Sequence, residues 1–143
     1  MFTTIPPVVL TYGLLGVIPF LAPPLTGLMF PALKDSAAFV LALYAGLILS
    51  FLGGARWGFA NARPEPNIAV VSLSMLPTLA GLALLAACAN QRALQLPGLA
   101  IALGLQWLWD LRSQNLPAWY AGLRTLLTAA AVTGLIAGAV VLS

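Results

Sequence analysis

Histidine is absent from this chain, cysteine occurs once, and the only charges among its 143 residues are six basic and three acidic side chains. Without histidine, the commonest ligand for haem, copper and catalytic zinc is missing, and so is the usual acid–base group near neutral pH. No catalytic, cofactor-binding or metal-binding set emerges, and neither an enzyme nor a cofactor is expected. Cys88 has no second cysteine to pair with. It sits late in an apolar run with no neighbouring base, so it reads as a small buried hydrophobe and not as a reactive thiol. A charged fraction of 6% and a mean hydropathy of +1.03 leave too little polar surface for a domain wetted on all sides. The bilayer must be the solvent, which makes this an integral membrane protein.

The few charges fall between long apolar runs and leave about five uncharged stretches, 1–33, 36–55, 66–91, 93–109 and 125–143, each roughly the length of a membrane crossing. The sequence therefore predicts an all-α, polytopic membrane helical bundle of about five transmembrane helices, forming a single domain over 1–143. The helices are expected at 7–22, 37–60, 67–89, 95–112 and 117–142. The start, Met1 to Pro7, has no positive n-region and no clear cleavage site, so the first apolar segment is expected to stay in the mature protein. Pro6 or Pro7 opens helix one, Pro19 should kink it, and Pro23-Pro24 should stop it. The stretch Leu25 to Ser36 then reads as an interfacial loop or re-entrant piece, with Ser36 as a plausible N-cap. Helix two would be about 36 Å long at about 1.5 Å per residue, the clearest crossing. The third helix carries Pro77 near its middle, which removes one backbone hydrogen bond, so Ser74, Thr78 or a neighbouring helix must help satisfy the freed carbonyl. Ser113 to Leu116 is a tight turn, and Pro117 suits the first position of helix five.

A net charge of +3 and a pI near 9.6 do not point to nucleic acid, because the basic residues are single and lie at the ends of apolar segments. They orient the chain instead. With about five crossings, the N-terminus and the turns after helices two and four share one side, with Arg56, Arg63, Arg112 and Arg124; the other side has Lys34 and Arg92. The positive-inside rule then favours a cytoplasmic N-terminus.

Small residues recur every four positions on helix two at Ala42, Gly46, Ser50, Gly54 and Gly58, and on helix five at Ala130, Gly134 and Gly138. Such strips let another backbone come close inside lipid, within the bundle or on another subunit. A second constellation gathers at one membrane face: Arg56 and Trp57 at the end of helix two, Gln106, Trp107 and Asp110 at the end of helix four, Trp119, Tyr120 and Arg124 at the start of helix five. Gln106 and Asp110 share one helical face, as do Tyr120, Arg124 and Thr128. Arg124 stands about two turns past Pro117, where a lone guanidinium is expensive. A bidentate Asp110–Arg124 ion pair would neutralise both groups and pin helix four to helix five. Arg56 with Trp57, Trp107, Trp119 and Tyr120 would then form a basic, aromatic pocket suited to a lipid phosphate or a quinone head group.

The segments Tyr12 to Phe20, Leu49 to Gly58 with its Ser-Phe-Leu-Gly-Gly, Ser74 to Pro77, Asp110, and Trp119 to Arg124 together resemble the domain-of-unknown-function family 3429, the transmembrane protein 69-like small membrane proteins. The resemblance spans nearly the whole chain. It implies a multi-helix inner-membrane or mitochondrial-type protein and brings no established activity, cofactor or catalytic residue. In the family pattern a histidine often stands where this chain has Arg56, which implies that a positive or hydrogen-bonding group matters there more than metal ligation.

The leading functional expectation is a non-enzymatic accessory or assembly subunit of a larger electron-transfer or photosynthetic membrane complex. It would be multi-pass in a bacterial inner (cytoplasmic) membrane, with membrane lipids and other membrane subunits as partners, and neither nucleic acid nor a soluble substrate. The alternative is a small carrier or channel running past Pro19 and Pro77 and gated by Asp110 and Arg124. An enzyme acting on a lipid or quinone would have only Asp110, Glu65 and the tyrosines as acid–base groups.

Overall fold

A computed structural model describes residues 4–143; Met1 to Thr3, part of the opening segment, lie outside the described residues. Seven helices follow in chain order: α1 Pro7–Leu15, α2 Ile18–Met29, α3 Lys34–Asn61, α4 Ile68–Leu73, α5 Leu76–Ala87, α6 Arg92–Arg112 and α7 Tyr120–Leu142. A short 3-10 turn, Pro31–Leu33, precedes α3. Since α1 with α2, and α4 with α5, each form one interrupted leg, the bundle has five legs. It contains no strand among the described residues. Four legs, Pro7–Met29, Pro31–Asn61, Ile68–Ala87 and Tyr120–Leu142, are long and apolar enough to cross a membrane. The fifth, α6, has 21 residues and carries Arg92, Asp110 and Arg112 at its ends.

Both interruptions have the same cause. α2 and α5 each begin just before a proline, Pro19 and Pro77, with the break at Gly16-Val17 and at Ser74-Met75 respectively. A proline ring clashes with the carbonyl four residues earlier and offers no N–H, so the preceding turn opens. Around Pro77, Met75 N–H bonds the Ser72 carbonyl, which leaves the Val71 carbonyl free, and the Ser74 hydroxyl donates to it at 2.6 Å. Thr78 pairs with Ser50 of α3 at 2.9 Å. The Val71 carbonyl opened by the break is met by the leg's own serine, and the leg's next hydroxyl by the neighbouring helix.

Several expected boundaries move. Pro23 and Pro24 do not end the first leg: α2 runs through them to Met29, so residues 25–29 are helix and not a loop. Because α2 restarts at Ile18, both prolines fall within two turns of its beginning, and Pro24 leaves the Phe20 carbonyl without a helical donor. That carbonyl lies against Gly134 of α7, where an added Cβ would stand 2.3 Å from its oxygen. Ser36 is no cap: α3 already starts at Lys34, with Asp35 in its first turn, where a carboxylate suits the helix dipole. Asn67 does cap α4, its Oδ1 accepting from the N–H groups of Ala69 and Val70 at 3.0 and 3.3 Å. α6 begins at Arg92, three residues before its expected start, because the carbonyl Pro97 leaves free belongs to exposed Ala93 near the helix end. α7 begins at Tyr120, not Pro117; Pro117 heads a turn closed by the Tyr120 N–H on its carbonyl at 2.9 Å.

α3 is the axis, packed against α2, α5, α6 and α7. Leu41, Leu49, Leu96, Leu99, Leu103 and Leu135 are fully buried along it. Burial of leucine from lipid gains little, so close contact must supply the association. Gly46 receives Leu85, Gly138 receives Leu41, and Gly53 receives the Ser74 carbonyl, each at a distance where an added Cβ would stand under 3 Å from its neighbour; Pro77 also closes on Gly53, at 3.2 Å. On α7, Gly134 and Gly138 of the strip pack inward. The strip on α3 divides: Gly46 and Ser50 meet α5, whereas a Cβ on Gly54 or Gly58 would meet nothing among the described residues within 4 Å.

Candidate functional site: a shared carboxylate beside a basic cleft

Asp110 lies two residues from the end of α6, Arg124 one turn into α7, and Arg56 just over a turn from the end of α3. The alternation of legs brings those three helix ends to one face of the bundle. There the three side chains are 3%, 5% and 7% exposed, so their charges are almost wholly out of solvent. Arg124 Nε donates to Asp110 Oδ2 at 2.7 Å. The pairing foreseen between these residues is present, but it is not bidentate. Gln106, one turn earlier on α6 and also buried, donates to Oδ1 at 3.2 Å, and Arg56 Nε approaches the same oxygen to 3.9 Å. The carboxylate is therefore shared among α3, α6 and α7.

Two guanidinium groups around one carboxylate leave an excess positive charge. A buried charge is tolerated when its polar atoms are paired. Here Arg56 Nε and Arg124 Nη2 are buried without a hydrogen-bond partner among the described residues. Arg56 also lies over the ring of Trp109, 4.7 Å from its centroid, where the negative face of the indole offsets part of the charge.

Arg56 opens on a cleft of about 350 Å³ between the loop after α3, the start of α4 and the loop after α6. Its lining holds three guanidinium groups, Arg56, Arg63 and Arg112, with the amides of Asn67, Gln114 and Asn115 and the hydroxyl of Ser113. Phe59, Val70, Leu116 and Trp109 close the apolar side. Asn115 sits at φ 64°, in the left-handed region that asparagine tolerates better than most residues, and this bends the loop around the cleft. No carboxylate lines this cleft among the described residues. The chemistry of such a lining suits an anion, above all a phosphate, through charge-assisted hydrogen bonds.

The expected aromatic residues divide. Tyr120 is half-buried and stands edge-on to Phe59, ring centroids 6.1 Å apart, with the Trp119 ring tilted toward it at the same distance. Trp107 turns toward α7 and donates from Nε1 to the Thr125 hydroxyl at 2.9 Å. Trp57 is 45% exposed and lines neither cleft. Trp109 takes the place foreseen for these rings. Its signal was in the chain, since it follows Gln106 by three and therefore shares that residue's helical face. Arg63 and Arg112 complete the cleft, and both come from segments that read only as turn and helix end.

Over residues 5–140 the chain matches the family described as "Protein of unknown function (DUF3429)". It is 39% identical over 135 residues to Transmembrane protein 69 of Xenopus tropicalis, covering 87% of this chain and 50% of that protein. With Transmembrane protein 69 of Mus musculus it shares 38% identity over 69 residues, 46% of this chain and 28% of the mouse protein. The chain thus spans half or less of the length of these curated relatives. No solved structure matches it. A five-legged bundle with four legs fit to cross a membrane, matched along nearly its whole length, makes this a multi-pass integral membrane protein and a member of the DUF3429 family.

Proposed function

We propose that this chain is a non-enzymatic accessory or assembly subunit of a larger membrane complex, of the electron-transfer or photosynthetic kind, which holds an anionic head group at its basic face. The observation that carries the head-group half is Arg56: buried, lining the cleft, and without a hydrogen bond at Nε, which stands 3.9 Å from a carboxylate that Arg124 and Gln106 already engage. The subunit half draws support from Gly54 and Gly58, which turn a flat, small-residue surface away from the bundle. A bacterial inner membrane with the N-terminal end cytoplasmic fits the charge distribution. Arg56, Arg63, Arg112 and Arg124 share the end bearing the start of α1, and Lys34 and Arg92 the opposite end.

The carrier reading, with Asp110 and Arg124 as a gate, draws less support. Beneath the cluster the bundle axis is filled by Leu49, Leu99, Leu103 and Leu135, each 2% exposed or less, so a solute would meet packed leucine. The test is native mass spectrometry of the chain extracted gently from its own membrane. A companion polypeptide at fixed stoichiometry and a retained anionic lipid are expected. A bare monomer carrying neither would sink the proposal.

A further inference from the structure

A second hollow lies on the bilayer side of the basic cleft. It is an apolar groove of about 290 Å³, lined by Leu73, Leu76, Pro77 and Ala80 of the broken α4–α5 leg, Leu49 of α3 and Leu105 of α6. The break at Ser74-Met75 accounts for it. α5 packs on both α3 and α6, whereas α4 packs mainly on α3, so the leg swings away from α6 above Pro77. Leu73, Leu76 and Leu105 are 48%, 55% and 62% exposed, which leaves the groove accessible from hydrocarbon. Trp109 lines both hollows, with Arg56 against its ring.

We infer that the two hollows are one amphipathic site for an anionic phosphate-headed glycerolipid. Its phosphate lies among Arg56, Arg63 and Arg112, and one acyl chain runs past Trp109 into the groove. This rests on the head-group reading above and adds the tail and the lipid class. A quinone head is neutral and gives three guanidinium groups nothing to neutralise. A zwitterionic lipid brings an ammonium into a cleft that already carries excess positive charge. An anionic lipid pairs the free donors of the cleft and fills the groove with the same molecule.

Brominated acyl chains quench an indole they touch, so the chain in neutral detergent is titrated with brominated phosphatidylglycerol, phosphatidylcholine of the same tails, and inorganic phosphate. A saturable quench is expected, lost in Trp109→Phe, at a concentration about tenfold lower for phosphatidylglycerol than for phosphatidylcholine. Arg63→Gln/Arg112→Gln, at two exposed positions, should bring the two lipids within about threefold of each other. Ala80→Leu fills the groove without touching a charge. It should weaken phosphatidylglycerol quenching about tenfold. If Ala80→Leu changes nothing while the double arginine variant abolishes the preference, the head-group reading stands and the tail inference is overturned. Equal quenching by both lipids overturns both. Displacement of the brominated lipid by inorganic phosphate at millimolar concentration would make the cleft a free-anion site and remove the lipid. Thermal unfolding of each variant in the same detergent separates a lost site from a lost fold.

Discussion

The two ends of this bundle handle buried polar groups in opposite ways. At the Lys34–Arg92 end, Gln95 is 1% exposed and fully engaged: its Nε2 donates to the Leu84 carbonyl at 3.1 Å and its Oε1 accepts from Arg92. It is neutral, its bonds run to its own turn and to α5, and the small residues nearby, Gly27 and Gly138, are covered by Leu142 and Leu41. At the Arg56 end, one carboxylate serves two cations, donor atoms are left over, a basic cleft adjoins them, and Gly54 and Gly58 face outward. Folding alone accounts for the first arrangement. The second keeps charge and open surface beyond what holding α3, α6 and α7 together requires, and the proposed head-group site draws on that surplus.

Asp110→Leu should break the contrast most severely. It strands two buried guanidinium groups at once, and loss of one partner from a buried pair costs on the order of 3–5 kcal/mol. Arg124→Leu should cost less, since Asp110 keeps Gln106 and Arg56. In a thermal-unfolding cycle the double variant should cost less than the sum of the two single changes. Additive losses would remove the shared carboxylate from the account. At the other end, Gln95→Leu frees one backbone carbonyl and one arginine that already reaches toward the surface, for about 1–3 kcal/mol. The sharper readout is selectivity: Gln95→Leu should lower the unfolding temperature and leave the preference for anionic lipid unchanged.

The five legs were legible because each apolar run is long and each charge falls at an end, as at Lys34-Asp35 and Arg92. The places of the two interruptions were legible, as kinks, because Pro19 and Pro77 each fall inside a long apolar run. The continuation through Pro23-Pro24 was not, because it depends on where α2 restarts and on Gly134 of a distant helix covering the Phe20 carbonyl. Asp110 with Arg124 could be read from the expense of a lone charge two turns into lipid. The rotation of α6 about its own axis could not, and it decides that Trp109 lies on Arg56 while Trp107 bonds Thr125. Which half of the α3 strip is covered is likewise tertiary. Ser50 and Gly53 meet the leg at Thr78 and at Ser74-Pro77, beside the start of α5, and Gly54 does not.

That division gives the smallest expected effect. Glycine in a helix interior costs about 0.5–1 kcal/mol relative to alanine. At Gly54 an added methyl meets nothing within 4 Å among the described residues, so Gly54→Ala should raise the stability of the isolated chain by up to about that amount. At Gly46 the same change puts a Cβ 2.6 Å from the Leu85 Cδ1, and moving that side chain should offset the gain. The difference becomes informative in the native membrane. If Gly54 and Gly58 only face lipid, the more stable variant should copurify with as much companion polypeptide as before. If another backbone packs there, Gly54→Ala should strengthen the chain and weaken its assembly, a sign reversal that lipid exposure alone does not produce.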